Sequence, residues 1–123
     1  LIEMGAFKGC INVTSIIVDE NNIYYDSRKN CNGVIHTKEN MLMVGCKTTT
    51  IPKSVTKIQS YAFFNIDDLF KLYLHQNISV VQYYAFYDCN NLIIYYEGSS
   101  IPSKWEKQWC TEEVQIEFNV KQN

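Results

Sequence analysis

The sequence predicts a mostly-β repeat solenoid in which short strands and short turns alternate and successive coils stack. Three observations predict it. An Ala-Phe pair recurs at Ala6-Phe7, Ala62-Phe63 and Ala85-Phe86 within one spacing of apolar residues. The composition is poor in Ala (3) and rich in Asn (12) and Tyr (9), which favours strands joined by many turns over long helices. The 123 residues are 46% hydrophobic and 20% charged with a net charge of −2, enough for the core of one domain and too apolar for disorder.

The repeat carries most of the prediction. Three segments begin at Ile2, Ile58 and Val81 and align without gaps to Val13, Leu69 and Leu92. Their shared frame is an aliphatic residue, three variable residues, Ala-Phe, two variable residues, Cys or Ile, two variable residues, then Val or Leu. The second and third copies are 23 residues apart and the first and second 56. Each Ala is small where neighbouring coils approach, and each Phe stacks along the axis. Cys10, Ile66 and Cys89, followed three residues later by Val13, Leu69 and Leu92, suit a short 3₁₀ or helical turn with one apolar edge. Strands follow at residues 15–18 and 71–74, with inward and outward residues alternating. A unit of one strand and one short turn cannot bury its apolar side alone, so such units come in series. The expected core is Ala6, Phe7, Cys10, Val13, Ile16, Val18, Ile51, Val55, Ile58, Ala62, Phe63, Leu69, Leu72, Leu74, Ala85, Phe86, Cys89 and Leu92.

Between the first two copies the pattern breaks. Val34–His36 and Met41–Val44 read as the strands of a protruding hairpin with its turn at residues 37–40, marked by Lys38-Glu39-Asn40. Thr48-Thr49-Thr50-Ile51 then supplies a repeat strand before Pro52. Tyr24-Tyr25-Asp26-Ser27-Arg28 reads as an Asp/Ser turn with a surface Arg. In the third copy the stretch between Leu92 and the strand is one residue short. After Glu97, a turn at Pro102 opens a short helix that puts Trp105 and Trp109 on one face, where they serve as core or, in the other reading, as a sugar-stacking platform. Val114, Ile116 and Phe118 alternate with Gln115 and Glu117 as a last, half-buried strand.

The frame Ala-Phe-x-x-Cys-x-x-Leu, with Ile51-Pro52-Lys53-Ser54-Val55-Thr56-Lys57-Ile58 beside it, resembles the BspA-type (Treponema pallidum-type) leucine-rich repeats of bacterial surface proteins. The sequence departs from the frame at Ile66, which replaces Cys, and at His75-Gln76-Asn77-Ile78, which replaces the Pro-containing link. The resemblance implies an α/β-type leucine-rich-repeat solenoid: a right-handed coil, a parallel sheet on one side, 3₁₀ or helical turns on the other, and a C-terminal cap. The expected division is a partial repeat at 1–18, an irregular coil with the hairpin at 19–57, repeats at 58–80 and 81–98, and the cap at 99–123, within one domain excised from a longer chain.

Chemistry is harder to find. The five Gly residues form no phosphate loop, and no G-x-S-x-G elbow occurs. The five cysteines (10, 31, 46, 89, 110) show no CxxC, and His36 and His75 lie far apart, so no zinc spacing exists. Cys10 and Cys89 are expected as free buried thiols. Cys31 and Cys46, flanking the hairpin, are the pair that would form if any did. Asp67-Asp68 and Glu112-Glu113 are adjacent and point apart, as solvated carboxylates do. Asn12-Val13-Thr14 and Asn77-Ile78-Ser79 are acceptor sequons of the kind an Asn-rich chain contains by chance. The near-neutral charge argues against a nucleic-acid partner, and no apolar run reaches the roughly 20 residues a membrane helix needs. No cofactor or metal is expected.

These readings leave a non-enzymatic protein-binding or adhesion module, or a spacer that presents another domain. The resemblance implies an extracellular or cell-surface location and a protein ligand of the host extracellular or matrix class. The outward strand residues define a face: Ile17, Thr50, Tyr73 and Tyr95 in one column, Ser15, Thr48, Lys71 and Ile93 in the next. Of these, Ile17, Thr50, Lys71, Tyr73, Ile93 and Tyr95 are the candidate contacts. The same residue types also follow from plain β-propensity.

Overall fold

A computed structural model of the protein describes residues 13–122. Eight short strands run in chain order: β1 (Tyr25–Asp26), β2 (Val34–His36), β3 (Met41–Val44), β4 (Lys57–Ile58), β5 (Lys71–Leu74), β6 (Val80–Val81), β7 (Ile93–Tyr96) and β8 (Gln115–Glu117). They form two sheets rather than the one expected: a five-stranded sheet of order β1-β2-β3-β4-β6 and a three-stranded one of order β5-β7-β8. No α-helix occurs among the described residues, and Arg28–Asn30 is a single 3₁₀ turn. The α/β label of the expectation is therefore corrected to a mostly-strand repeat fold.

The 23-residue spacing becomes a hydrogen-bonded register. Lys57 and Ile58 pair in parallel with Val80 and Val81, 23 residues on. Lys71 to Leu74 pair with Ile93 to Tyr96, 22 residues on, so the missing residue falls before the strand. Between these two strips runs a third ladder built from the Ala-Phe turns. Tyr61 N–H donates to the Tyr84 carbonyl at 3.2 Å and Phe63 N–H to that of Ala85 at 2.8 Å; Tyr84 and Phe86 donate in the same way to Gln108 and Trp109 at 2.7 and 3.1 Å. Each unit thus satisfies its backbone through the next, the requirement any buried polar backbone must meet.

The turns are not helical. Their bonds are separate i to i+3 turns, such as Phe64 N–H to Tyr61 O (3.3 Å) and Leu69 N–H to Ile66 O (3.3 Å). Left-handed residues interrupt them at Tyr61 (φ 62°), Asn65 (φ 55°), Tyr84 (φ 59°) and Asp88 (φ 61°), so no helical run can start. Apolar spacing of three suits a chain of turns as well as it suits a helix.

Inside, Phe63 and Phe86 stack with ring centroids 5.0 Å apart and planes 10° from parallel, both fully buried. Ala62 and Ala85 are buried beside them, as are Ile51, Val55, Ile58, Leu69, Leu72, Leu74, Cys89 and Leu92. Ala6, Phe7 and Cys10 lie outside the described residues. Phe63 packs against Gly45 on its other side. A Cβ there would sit 2.2 Å from Phe63 Cε1, so only glycine admits the ring.

The hairpin forms where expected but does not protrude. β2 and β3 pair antiparallel, with a register shift between Val34 and Ile35, and β3 pairs in parallel with β4 through Met41–Lys57 and Leu42–Ile58. Ile35 and Leu42 are fully buried in the main core. An apolar run inside a sheet leaves no reason to stand off from it. Residues 15–18 form no strand; Ile16 and Val18 are half-buried against Tyr25, Val34, Met43 and Val44 in a small separate cluster. Residues 48–51 also form no strand. The Thr49 hydroxyl accepts the Cys46 N–H at 2.7 Å and donates to the Asn32 carbonyl, while Thr50 N–H donates to Cys31 O at 3.0 Å, so this backbone closes a turn instead of a ladder.

At the other end Trp105 and Trp109 are buried, which supports their reading as core, but they lie on successive turns and not on a helix. Left-handed Gln108 (φ 57°) stands between them. Trp109 occupies the row of Ala62 and Ala85, its ring edge-on to Phe86 at 6.0 Å, and Trp105 Nε1–H donates to Ile78 O at 3.1 Å.

Candidate functional site

The three-stranded sheet alternates buried and outward residues, so β5, β7 and β8 present one face. Parallel register lines up Lys71, Ile93 and Gln115 in one column and Tyr73, Tyr95 and Glu117 in the next. The Tyr73 and Tyr95 rings lie 5.4 Å apart, tilted by 31°. Tyr73 is 36% exposed and Tyr95 half-buried. Four of the sequence-derived candidates, Lys71, Tyr73, Ile93 and Tyr95, thus share this face.

The other two are placed differently. Thr50 is exposed across a groove of about 280 Å³ between residues 47–51 and β5; the groove is lined by Thr50, Lys71 and Tyr73 among others. Ile17 is 81% exposed in the strandless segment 13–19, so the expected column does not extend to it as sheet. The C-terminal segment reaches back over the strand ends. Asn119 N–H donates to Gly98 O (2.9 Å), Val120 N–H to Tyr96 O (3.0 Å), and Gln122 lines the groove beside Tyr73.

The Asp26–Arg28 cluster is a structural clasp. Arg28 donates from Nε and Nη2 to the two Asp26 oxygens, each at 2.7 Å, and from Nη1 to Asn40 Oδ1 (2.7 Å) and Ser54 Oγ (3.1 Å). The Thr37 hydroxyl donates to Asp26 at 2.7 Å. The Arg28 guanidinium, with Thr37 helping, holds the Asp26 carboxyl down at about 2. With its fork occupied, Arg28 has little left to offer a ligand.

The cysteines do no redox chemistry here. Cys31, Cys46, Cys89 and Cys110 are free thiols, so the Cys31–Cys46 bond does not form. Cys89 Sγ donates to the Phe63 carbonyl one unit away at 2.7 Å, and burial pushes its thiol up to about 12. Burial likewise pushes Cys110 up to about 11. Thiols held so far above neutrality are poor nucleophiles. Cys10 lies outside the described residues. His75 is buried; its Nε2 bonds the Pro52 carbonyl at 2.8 Å and its Nδ1 accepts the Asn77 N–H at 3.2 Å, fixing the Nε2–H tautomer. His36 stands edge-on to Tyr25.

Sequence reasoning missed an aromatic strip on the turn side. Tyr61, Phe64, Tyr83, Tyr84 and Tyr87 touch in sequence, with Tyr61–Tyr84 at 5.8 Å, Phe64–Tyr87 stacked at 5.7 Å, and Tyr83–Tyr84 and Tyr84–Tyr87 at 5.1 and 4.6 Å. The signal was present: Tyr-Ala-Phe-Phe and Tyr-Ala-Phe-Tyr recur at a 23-residue spacing, so flanking rings must align as the central Phe rings do.

The register, the stacked rings and the two strand strips define a repeat protein whose units are alike in backbone and variable in surface. The model of the BspA type leucine-rich repeat region (6 copies) matches residues 40–108, and the chain belongs to that family. No curated protein and no solved structure matches it. Repeats of this family are associated with bacterial surface proteins, are typically non-enzymatic and generally mediate protein interactions. Among the described residues no helix is long and apolar enough to cross a membrane.

Proposed function

We propose that this chain is a non-enzymatic protein-binding segment of a bacterial surface or secreted protein. In this reading it is a right-handed solenoid of one domain, closed at its C-terminal side by Trp105, Trp109 and β8. A partner of the host extracellular or matrix class docks on the face of Lys71, Tyr73, Ile93 and Tyr95, with Thr50 across the groove. The observation that supports it is the Tyr73–Tyr95 ladder, two half-exposed rings placed side by side by backbone register. Tyrosine is favoured where one end is apolar and the other wet, and rigid rings lose little entropy on binding.

The test compares wild type with Tyr73→Ser plus Tyr95→Ser in biolayer measurements against a panel of extracellular-matrix proteins. Removing a true anchor pair should weaken binding by about 1–2 kcal/mol or more. Unchanged affinity, with the fold intact by circular dichroism, would return this face to a scaffold role and favour the spacer reading.

A further inference from the structure

We propose that the aromatic strip of Tyr61, Phe64, Tyr83, Tyr84 and Tyr87 is a second binding surface, one that takes lysine or arginine side chains of a partner protein. It lies on the turn strip of each unit, separate from the strand face, and does not rest on the reading of that face. Tyr83 is 41% exposed and the other four rings are half-buried, so edges and faces reach solvent while the bodies are held in place. The next unit continues the strip into a shallow depression of about 400 Å³, lined by Tyr84, Tyr87, Gln108, Glu112 and Glu113 among others.

Charge selects the ligand. Residues 58–70 and 81–92, which supply every ring, contain no Lys or Arg and carry Asp67, Asp68 and Asp88. Residues 106–113 add Glu106, Glu112 and Glu113 against Lys107 alone. Asp68 pairs with Lys47, and Glu106 accepts the Tyr83 N–H at 3.0 Å. Glu112 and Glu113 enter no ion pair among the described residues and border the depression. Aromatic faces carry a negative quadrupole that attracts cations, and a carboxylate rim adds to that field. The aliphatic stem of Lys or Arg covers ring surface while its head meets the carboxylates. An anionic partner would meet repulsion on all sides. A neutral sugar could stack on the rings but would gain nothing from the acidic rim.

The experiment titrates the protein with a short peptide alternating Lys and Gly, following tyrosine fluorescence at low salt and at about 0.5 M salt. The expected result is saturable binding that weakens in high salt. Tyr83→Ser plus Tyr87→Ser should weaken it about tenfold or more. Glu112→Gln plus Glu113→Gln should weaken it roughly threefold and flatten the salt dependence. Tyr73→Ser plus Tyr95→Ser should leave it unchanged, which separates this surface from the strand face. Should the Tyr83/Tyr87 variant lose its fold by circular dichroism, the Glu112/Glu113 variant decides, since exposed carboxylates are not part of the ring packing. Absence of binding at millimolar peptide, equal binding by the Glu112/Glu113 or the folded Tyr83/Tyr87 variant, or tyrosine-dependent binding of a neutral oligosaccharide in place of the peptide would each overturn the proposal.

Discussion

The regular units at residues 58–98 and the irregular region at residues 13–56 are held together by different means. In the regular units the backbone of one unit bonds the backbone of the next, and side chains add rungs, such as Asn91 Nδ2 to Asp67 O at 2.9 Å and Ser79 Oγ to Thr56 O at 3.2 Å. Identical positions face each other, so one solution serves every unit. The irregular region has no such repeat to lean on. It joins short antiparallel strands to the stack through one charged clasp, Asp26–Arg28–Thr37–Asn40–Ser54, and through the Ser27 hydroxyl, which accepts the Val18 N–H (2.9 Å) and donates to Gly33 O (2.7 Å). The comparison teaches that periodic sequence distributes stability over many small equal contacts, whereas aperiodic sequence concentrates it in a few specific ones.

The largest expected effect comes from breaking the shared core. Phe63 is fully buried between Gly45 of the irregular region and Phe86 of the next unit, so it belongs to both regions. Phe63→Ala should cost about 3–5 kcal/mol, read as a fall in the midpoint of denaturant unfolding monitored by far-ultraviolet circular dichroism. A loss under about 1 kcal/mol would mean that the stack does not couple the two regions.

The clasp gives a smaller and pH-dependent effect. Arg28→Lys keeps the charge but loses the fork that grips both Asp26 oxygens, and should cost about 1–2 kcal/mol at neutral pH. The Asp26 carboxyl titrates at about 2 in the folded chain against an ordinary 3.8, so its contribution is present above 3.8 and is lost as the pH falls toward 2. Wild type should therefore lose stability across that acid window, and Arg28→Lys should lose less. Equal acid slopes in the two proteins would show that the clasp contributes nothing to holding the irregular region.

What could be read in advance follows the same division. The Phe63–Phe86 stack, the missing residue before β7 and the paired strands of the hairpin were legible because each rests on a repeat or an alternation that side chains alone reveal. The left-handed turns were not, since Tyr61 and Tyr84 are unusual hosts for positive φ; only Gly5 and Gly9, at the equivalent sequence positions of the first copy, carry the usual signature. Strand at 48–51 was misjudged because β-propensity of Thr-Thr-Thr-Ile was weighed without the Thr49 hydroxyl that turns the chain back. Tyr73 and Tyr95 were aligned from spacing, whereas the aromatic strip on the turns was overlooked because the small Ala and buried Phe drew the frame inward.

The smallest effect sits where the two regions meet in sequence. His75 replaces the proline of the link, and its buried ring donates from Nε2 to the carbonyl of Pro52, one unit earlier. Burial lowers its affinity for a proton, a shift opposed by the Pro52 carbonyl and by Glu97 and reinforced by Lys53. A base whose folded pKa lies below its unfolded value binds its proton in the unfolded chain first. Above 6.5 both states are neutral and His75 adds no pH dependence; as the pH falls through 6.5 the unfolded state gains a proton that the folded state refuses, and stability declines. His75→Gln can still offer a side-chain N–H to Pro52 and has no proton to take up. Between about pH 7.5 and about pH 5, above the range in which Asp26 titrates, wild type should therefore lose stability more steeply than His75→Gln, read as unfolding midpoints at fixed ionic strength. Parallel curves would assign that limb of the acid dependence to other groups. A steeper curve in the variant would mean that folding favours the protonated ring, and the Nε2–H tautomer assigned to the Pro52 bond would have to be replaced by the imidazolium.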